Sequence, residues 1–426
     1  MKKHHRALEQ NQSLWEKLGP GLVTGAADDD PSGIATYSQV GAAFGYGMLW
    51  TAILTFPLMV GIQIVSAQIG RVTGDGLANN IRKHYPPWLL YGLVGLLLLA
   101  NTINIAADVG AMGAALKLLI GGPAHWYAIG FGVLSLVLQV FVPFPRYSPV
   151  LKALTLALFA YVATVFVVKV PWGQVLYETF IPSVSFTTEY AVGVVAVFGT
   201  TISPYLFFWQ ASQEVEEQRA AKGQEPLKKA PEQARRSLRR IMIDTYVGMG
   251  FSNVVAFFIM LTAAATLHLH GVTDIQTSSQ AAQALRPLAG DLAFWLFAAG
   301  IVGSGLLAVP ILAGSAAYAM AEATGWPIGL GRRLLQARGF YMVLTVSTLL
   351  GVALNFTPID PIKALFWSAV INGMIAVPIM VVIMIMSVRK DVMGHFVIKR
   401  RLKILGWIAT GVMGIAVLIM MITWVG

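Results

Sequence analysis

Residues 24–39, "TGAADDDPSGIATYSQ", set three consecutive carboxylates, Asp28, Asp29 and Asp30, directly ahead of Pro31 and Gly33, inside the first long apolar run of the chain. An aspartate at the centre of a bilayer costs about 2.5–3.5 kcal/mol on insertion scales, so three in a row need a cation, a polar partner or a water-filled cavity. No lysine or arginine sits well inside an apolar run to serve as that partner. Proline lacks the amide hydrogen that would bond four residues back, so Pro31 frees the carbonyl of Ala27. A second interruption, "GTTISPYLF" (199–207), carries Pro204, which frees the carbonyl of Thr200 in the same way. Uncoiled backbone oxygen beside carboxylate suits a hard cation. The three like charges repel one another, and a divalent ion would relieve that repulsion.

The elements that must position these groups are membrane helices. The chain has 426 residues, 56% of them hydrophobic and only 12% charged, with mean hydropathy +0.68, outside the range of soluble globular domains. Eleven apolar runs are long enough to cross a bilayer: 19–43, 46–70, 88–116, 125–143, 148–169, 189–212, 240–267, 288–322, 339–356, 361–387 and 403–425. Helix is the expected element throughout, since the alternation of barrel strands is absent. The opening "MKKHHRALEQNQSLWEKLGP" is polar for too long to be an ordinary signal sequence and is expected to be retained.

The net charge of +10 has a topological explanation. Twenty-six of the 30 lysines and arginines fall in segments 1–18, 71–87, 144–152, 213–240, 323–338 and 388–403, which alternate onto one side of the membrane. That asymmetry puts the N-terminus in the cytoplasm and the C-terminus outside the plasma (inner) membrane, and it accounts for the basicity without a nucleic-acid partner. The bilayer is the expected surrounding partner; the sequence leaves the oligomeric state open. Cysteine is absent, which excludes disulfides and thiolate metal ligands. No Walker loop, dinucleotide fingerprint or hydrolytic triad occurs, so neither an enzyme nor an ATP-driven pump is expected.

The charged insert 212–240 divides the chain near its middle, and Pro31 and Pro204 stand 173 residues apart. Interrupted helices in corresponding positions of two five-helix halves are the sequence pointer to a transporter site at a repeat interface. The expected organisation is a cytoplasmic segment 1–18, a first repeat 19–169, an outer loop 170–188, an inverted second repeat 189–387, and a basic loop with an eleventh helix, 388–426.

"LGPGLVTGAADDDPSGIATYSQ", followed in the second half by "GTTISPYLFFWQ", resembles the NRAMP family of divalent metal transporters. The resemblance covers nearly the whole chain and implies an all-α, LeuT-type inverted 5+5 repeat plus one helix. It also implies a divalent metal as transported substrate, with no cofactor. The family joins an Asp-Pro-Gly-Asn turn on the first helix to a Met-Pro-His stretch on the sixth. By that match Asp30 is the metal-binding carboxylate and Thr200 supplies a carbonyl, with Ala27, Asp28 and Asp29 adding oxygen or charge.

The departures from the family pattern have a direction. Gly33 stands for the asparagine, Ser203 for the methionine, Tyr205 for the histidine, and Asn372 lies near a tenth-helix glutamine position. Those four residues are expected to line the cavity. On the third helix Asp108 matches the first of two acidic positions, while Ala111 replaces the second, making Asp108 a candidate for an ion or proton pathway. Thioether favours transition metals, whereas Mg²⁺ prefers oxygen and keeps several waters. The pattern is similar to the branch of the family that carries magnesium, and implies Mg²⁺ or Mn²⁺ transport by alternating access with weak or no proton coupling. The same scaffold could instead carry a small organic cation or amino acid, or bind metal as a sensor without turnover.

Other polar residues have simpler readings. Asn101 and Asn104 share a helix face with Asp108 and are expected to make interhelical hydrogen bonds. Glu322 is expected at the interface, and Asp360 in an outer turn. The run "ARRSLRR" is a topology signal that would also attract anionic headgroups.

Overall fold

The first apolar stretch folds as two helices, α1 (Pro20–Asp28) and α2 (Pro31–Phe44), separated at Asp29–Asp30. Pro31 occupies the first position of α2, where a missing N–H costs nothing, and Asp30 caps it by accepting from the Gly33 amide at 2.7 Å. The sixth stretch breaks in the same manner. Helix ends at Thr201 and restarts at Pro204, with Ser203 as the N-cap.

The computed structural model describes residues 20–142, 146, 150, 153, 156–221, 223–357 and 359–425. The expected segment 1–18 and residues 148, 149, 151, 152, 154 and 155 of the fifth span lie outside the described residues. No strand occurs among those described. In chain order the remaining principal helices are α3 (Trp50–Thr73), α4 (Leu77–His84), α5 (Pro87–Ile120), α6 (Ala124–Phe141), α7 (Phe159–Val167), α8 (Trp172–Phe180), α9 (Thr188–Thr201) and α10 (Pro204–Ala220). Then follow α11 (Ala234–Thr266), α12 (Ala293–Thr324), α13 (Arg338–Leu354), α14 (Pro361–Val388) and α15 (Arg400–Val425).

Eight helical runs among the described residues are long and apolar enough to cross a membrane. The broken α1–α2 pair and the shorter apolar helices at 156–167 and 338–354 stand at the other three expected spans. Boundaries shift where polar residues are absorbed. The run "ARRSLRR" is itself helical and forms the first turns of α11, which therefore starts at Ala234 and not near 240. Two short helices, α4 and α8, occupy segments expected as loops.

The broken helix lies along α11 on glycine. A Cβ at Gly25 would fall 2.2 Å from the Gly248 carbonyl, and one at Gly41 would fall 2.3 Å from the Met260 oxygen. Gly21, one turn before Gly25, donates its amide to Asp244 Oδ2 at 2.7 Å. Small residues spaced by four let backbones approach without a hydrophobic driving force between helices. The second half repeats this arrangement: α10 runs along α3, with Gly70 against the Ala211 carbonyl at 2.3 Å to the Cβ position. Gly25→Ala is accordingly expected to destabilise the protein by about 1–3 kcal/mol through overpacking, read as a lowered melting temperature in detergent.

Glu322 lies two residues before the end of α12 and is enclosed by protein there. It is 3% exposed, accepting from Ser212 Oγ at 3.0 Å and from the Asn79 amide at 3.1 Å. The first turn of α4 and the neighbouring α10 supply the donors that let the carboxylate be buried.

Candidate metal site at the two helix breaks

The two interruptions meet. Ser32 Oγ and Thr200 Oγ1 are 3.3 Å apart, and Tyr37 OH lies 2.9 Å from Thr201 Oγ1. From the far side of the second break, Tyr205 OH reaches the Ala27 carbonyl at 3.0 Å and Asp30 Oδ2 at 3.4 Å. Ala27, Asp30, Thr200, Ser203 and Tyr205 therefore belong to one polar cluster, with Gly33 at its edge. A Cβ at Gly33 would stand 3.3 Å from the Asp28 carbonyl and 3.4 Å from Thr200 Oγ1.

The three carboxylates divide between two faces. Asp30 uses Oδ1 for the Gly33 amide, while Oδ2 receives Asn104 Nδ2 at 3.3 Å as well as Tyr205. Asp28 and Asp29 turn toward α11, where Ser252 Oγ lies 2.6 Å from Asp28 Oδ2 and 3.0 Å from Asp29 Oδ1. One hydroxyl carries one proton and donates to one carboxylate at a time. Asp28 Oδ1 and Asp29 Oδ2 are buried without a hydrogen-bond partner. Among the described residues no group of three His, Cys, Asp and Glu side chains converges to hold a metal, so the oxygen donors around Asp30 come from backbone and hydroxyl groups.

The carbonyls that the prolines release do not stay bare. Ser203 Oγ lies 2.8 Å from both the Thr200 and the Gly199 oxygens, and Tyr205 serves Ala27. A carbonyl has a second lone pair, so these contacts leave each oxygen able to accept again. Tyr205 is held from behind as well, since its own carbonyl accepts from Ser315 Oγ on α12 at 2.8 Å.

Asp108 lies one turn beyond Asn104 on α5, fully buried, with neither carboxylate oxygen partnered. Asn372 sits on α14 beside Gly373, which packs against α9 at Gly199; both of its amide atoms are buried without a partner. No hydrogen bond brings Asn372 into the cluster. Asp360, expected in an outer turn, caps α14 by accepting from the Ile362 and Lys363 amides.

The electrostatic situation is one-sided. Ion pairs among the described residues fall at Lys83–Asp75, Arg240 with Glu214 and Glu217, Arg286–Asp291 and Arg389–Asp391, all away from the breaks. Asp28, Asp29, Asp30 and Asp108 are each no more than 2% exposed. A buried charge without a partner is costly, and a divalent cation is the species that would balance these carboxylates.

Sequence reasoning missed two residues. Asn104 makes the expected interhelical hydrogen bond, but its partner is the Asp30 carboxylate, which the sequence did not indicate; its place one turn before Asp108 was the available signal. Ser252 carried no signal beyond being a small polar residue in an apolar helix.

A model of the natural resistance-associated macrophage protein-like family matches residues 21–423. The "Divalent metal cation transporter MntH" of Deinococcus radiodurans is 28% identical over 397 residues, covering 92% of this chain and 86% of that protein. Among solved structures, the Eremococcus coleocola manganese transporter superposes with a TM-score of 0.73 at 18% identity, covering 96% of this chain and 87% of that one. Mhp1, a nucleobase-cation-symport-1 family transporter, superposes with a TM-score of 0.56 at 13% identity, covering 96% and 92%.

Proposed function

The chain belongs to the natural resistance-associated macrophage protein-like family, and from that premise we propose that it carries Mg²⁺ or Mn²⁺ across the plasma membrane by alternating access. At the coarser level it is a multi-pass membrane transporter of divalent metal ions and not an enzyme. Family membership favours a metal over the small organic cation or amino acid that the scaffold would also accommodate. The N-terminus is taken as cytoplasmic and the C-terminus as external, with residues 19–169 and 189–387 as the two inverted repeats.

One observation carries the proposal: acidic side chains of the first helix break lie against the second break with no basic residue paired to them among the described residues. Asp30 is the principal ligand. The Ala27 and Thr200 carbonyls contribute once Tyr205 and Ser203 swing aside or share them through water. Asp28 and Asp29 supply negative charge from the α11 side, and Asp108 extends it along α5. Gly33, Ser203, Tyr205 and Asn372 bound a space for a partly hydrated ion, which suits the reluctance of Mg²⁺ to shed water.

Absence of an acidic residue at Ala111 and of a histidine at Tyr205 supports weak or no proton coupling. Inward flow of a dication gains about 4.6 kcal/mol per 100 mV, which suffices to drive accumulation without protons. Proteoliposomes that report ion influx and internal pH together test this. The expected result is Mg²⁺ uptake that rises with inside-negative potential while internal pH stays level. Internal acidification in step with uptake would reject the uncoupled reading, and carriage of Mn²⁺ but not Mg²⁺ would reject the ion preference.

A further inference from the structure

Where α11 and α15 begin beside α3, a groove of about 830 Å³ opens on the basic side of the molecule. Arg235, Arg239, Lys399, Arg401 and His395 line it, and no carboxylate does. Arg235 and Arg239 are one turn apart on α11, and Lys399 and Arg401 flank the first residue of α15. All four are exposed, and among the described residues none enters an ion pair. Asp391, a few residues ahead of Lys399, is already engaged: its hydrogen bonds with Arg389 hold its carboxyl down at about 2.

Deeper along the helices the walls turn apolar, with Leu238 and Met242 on α11 facing Leu402 and Leu405 on α15. Leu405 is seated against Gly61 of α3, whose Cβ position lies 2.8 Å from it, so the floor is built by helix packing. Met242 and Tyr246 remain 44% and 48% exposed toward the lipid side. Four like charges gathered on one rim repel one another unless an anion sits among them. A soluble anion would satisfy the rim and leave the apolar walls unfilled; a molecule with an anionic head and hydrocarbon tails satisfies both.

We propose that this groove binds an anionic phospholipid, its phosphate held by the four rim cations and its acyl chains laid along Met242 and Leu402. Charge complementarity commits the site to a lipid of the cytoplasmic leaflet, where basic pockets between helices meet anionic headgroups.

Native mass spectrometry of the full chain, titrated with phosphatidylglycerol or phosphatidylcholine in detergent, tests the proposal. Phosphatidylglycerol is expected to be retained at least tenfold more tightly. R239Q/K399Q is expected to weaken it roughly thirtyfold, about fivefold per charge near a membrane surface. Met242→Trp, which fills the apolar floor without altering charge, is expected to weaken it as well and carries the test should the double variant fail to fold. R332Q/K390Q, which removes the same charge away from the groove, should leave retention unchanged. Equal retention of the two lipids, full retention by R239Q/K399Q and Met242→Trp, or an equal loss in R332Q/K390Q would each overturn the site. Displacement of the lipid by inorganic phosphate at similar concentration would identify a free-anion site and overturn it too.

Discussion

Asp30→Asn is expected to lower Mg²⁺ and Mn²⁺ uptake by about a hundredfold or more, a loss of ~2.7 kcal/mol of ion stabilisation, while the protein still folds. The separation is possible because Asp30 does two things. As the N-cap of α2 it accepts from the Gly33 amide, a duty asparagine performs as well as aspartate. As the carboxylate nearest the second break it holds the negative charge beside the Ala27 carbonyl and Tyr205. Asparagine keeps the first role and removes the second. Asp30→Ala removes both, and adds a folding cost of about 0.5–2 kcal/mol for the lost cap. Uptake in proteoliposomes, compared with melting temperature for the two variants, distinguishes them. Normal flux from Asp30→Asn would mean that the charge at this position is not a ligand.

The second large effect concerns which ion is preferred. The double variant Gly33→Asn/Ser203→Met is expected to shift the Mn²⁺ to Mg²⁺ uptake ratio toward Mn²⁺ by about tenfold or more, because thioether and amide ligands replace space for water. The first of these changes is sterically admissible at the level of first contact. At Gly33 the nearest atoms to a Cβ stand at 3.3–3.4 Å, which asks neighbours to give only slightly. At Ser203 the lost hydroxyl releases the Gly199 and Thr200 carbonyls, so a methionine there adds a soft ligand and exposes hard ones together. Competition uptake with both ions gives the ratio directly. An unchanged ratio would remove the argument from ligand softness.

The helical segments were legible because hydropathy over about 20 residues is a strong signal, and the two breaks because proline removes a donor whatever its surroundings. Asp30–Pro31 and Ser203–Pro204 both restart a helix at the proline. Side-chain direction was not legible. The resemblance set Asp30 apart from Asp28 and Asp29 but not their partners: where the helix ends decides that Asp28 and Asp29 turn to Ser252 while Asp30 turns to Asn104 and Tyr205. Ser252 is more than 220 residues from its partners, a separation no local pattern encodes. The burial of Glu322 was not legible for a related reason: the donors that make it tolerable, Ser212 and the Asn79 amide, arrive through tertiary folding.

The glycine seam between the broken helix and α11 has a mechanical corollary. Side chains that interdigitate act as teeth, and a contact made of main chain at Gly21, Gly25 and Gly41 has none. In the proposed alternating-access cycle such a joint would resist separation but offer little resistance to glide, as a bearing does. The pins along it are polar and few: the Gly21 amide on Asp244 and the Ser252 hydroxyl on Asp28 and Asp29. Two of the carboxylates proposed to sense the cargo would thus double as the catch on that motion.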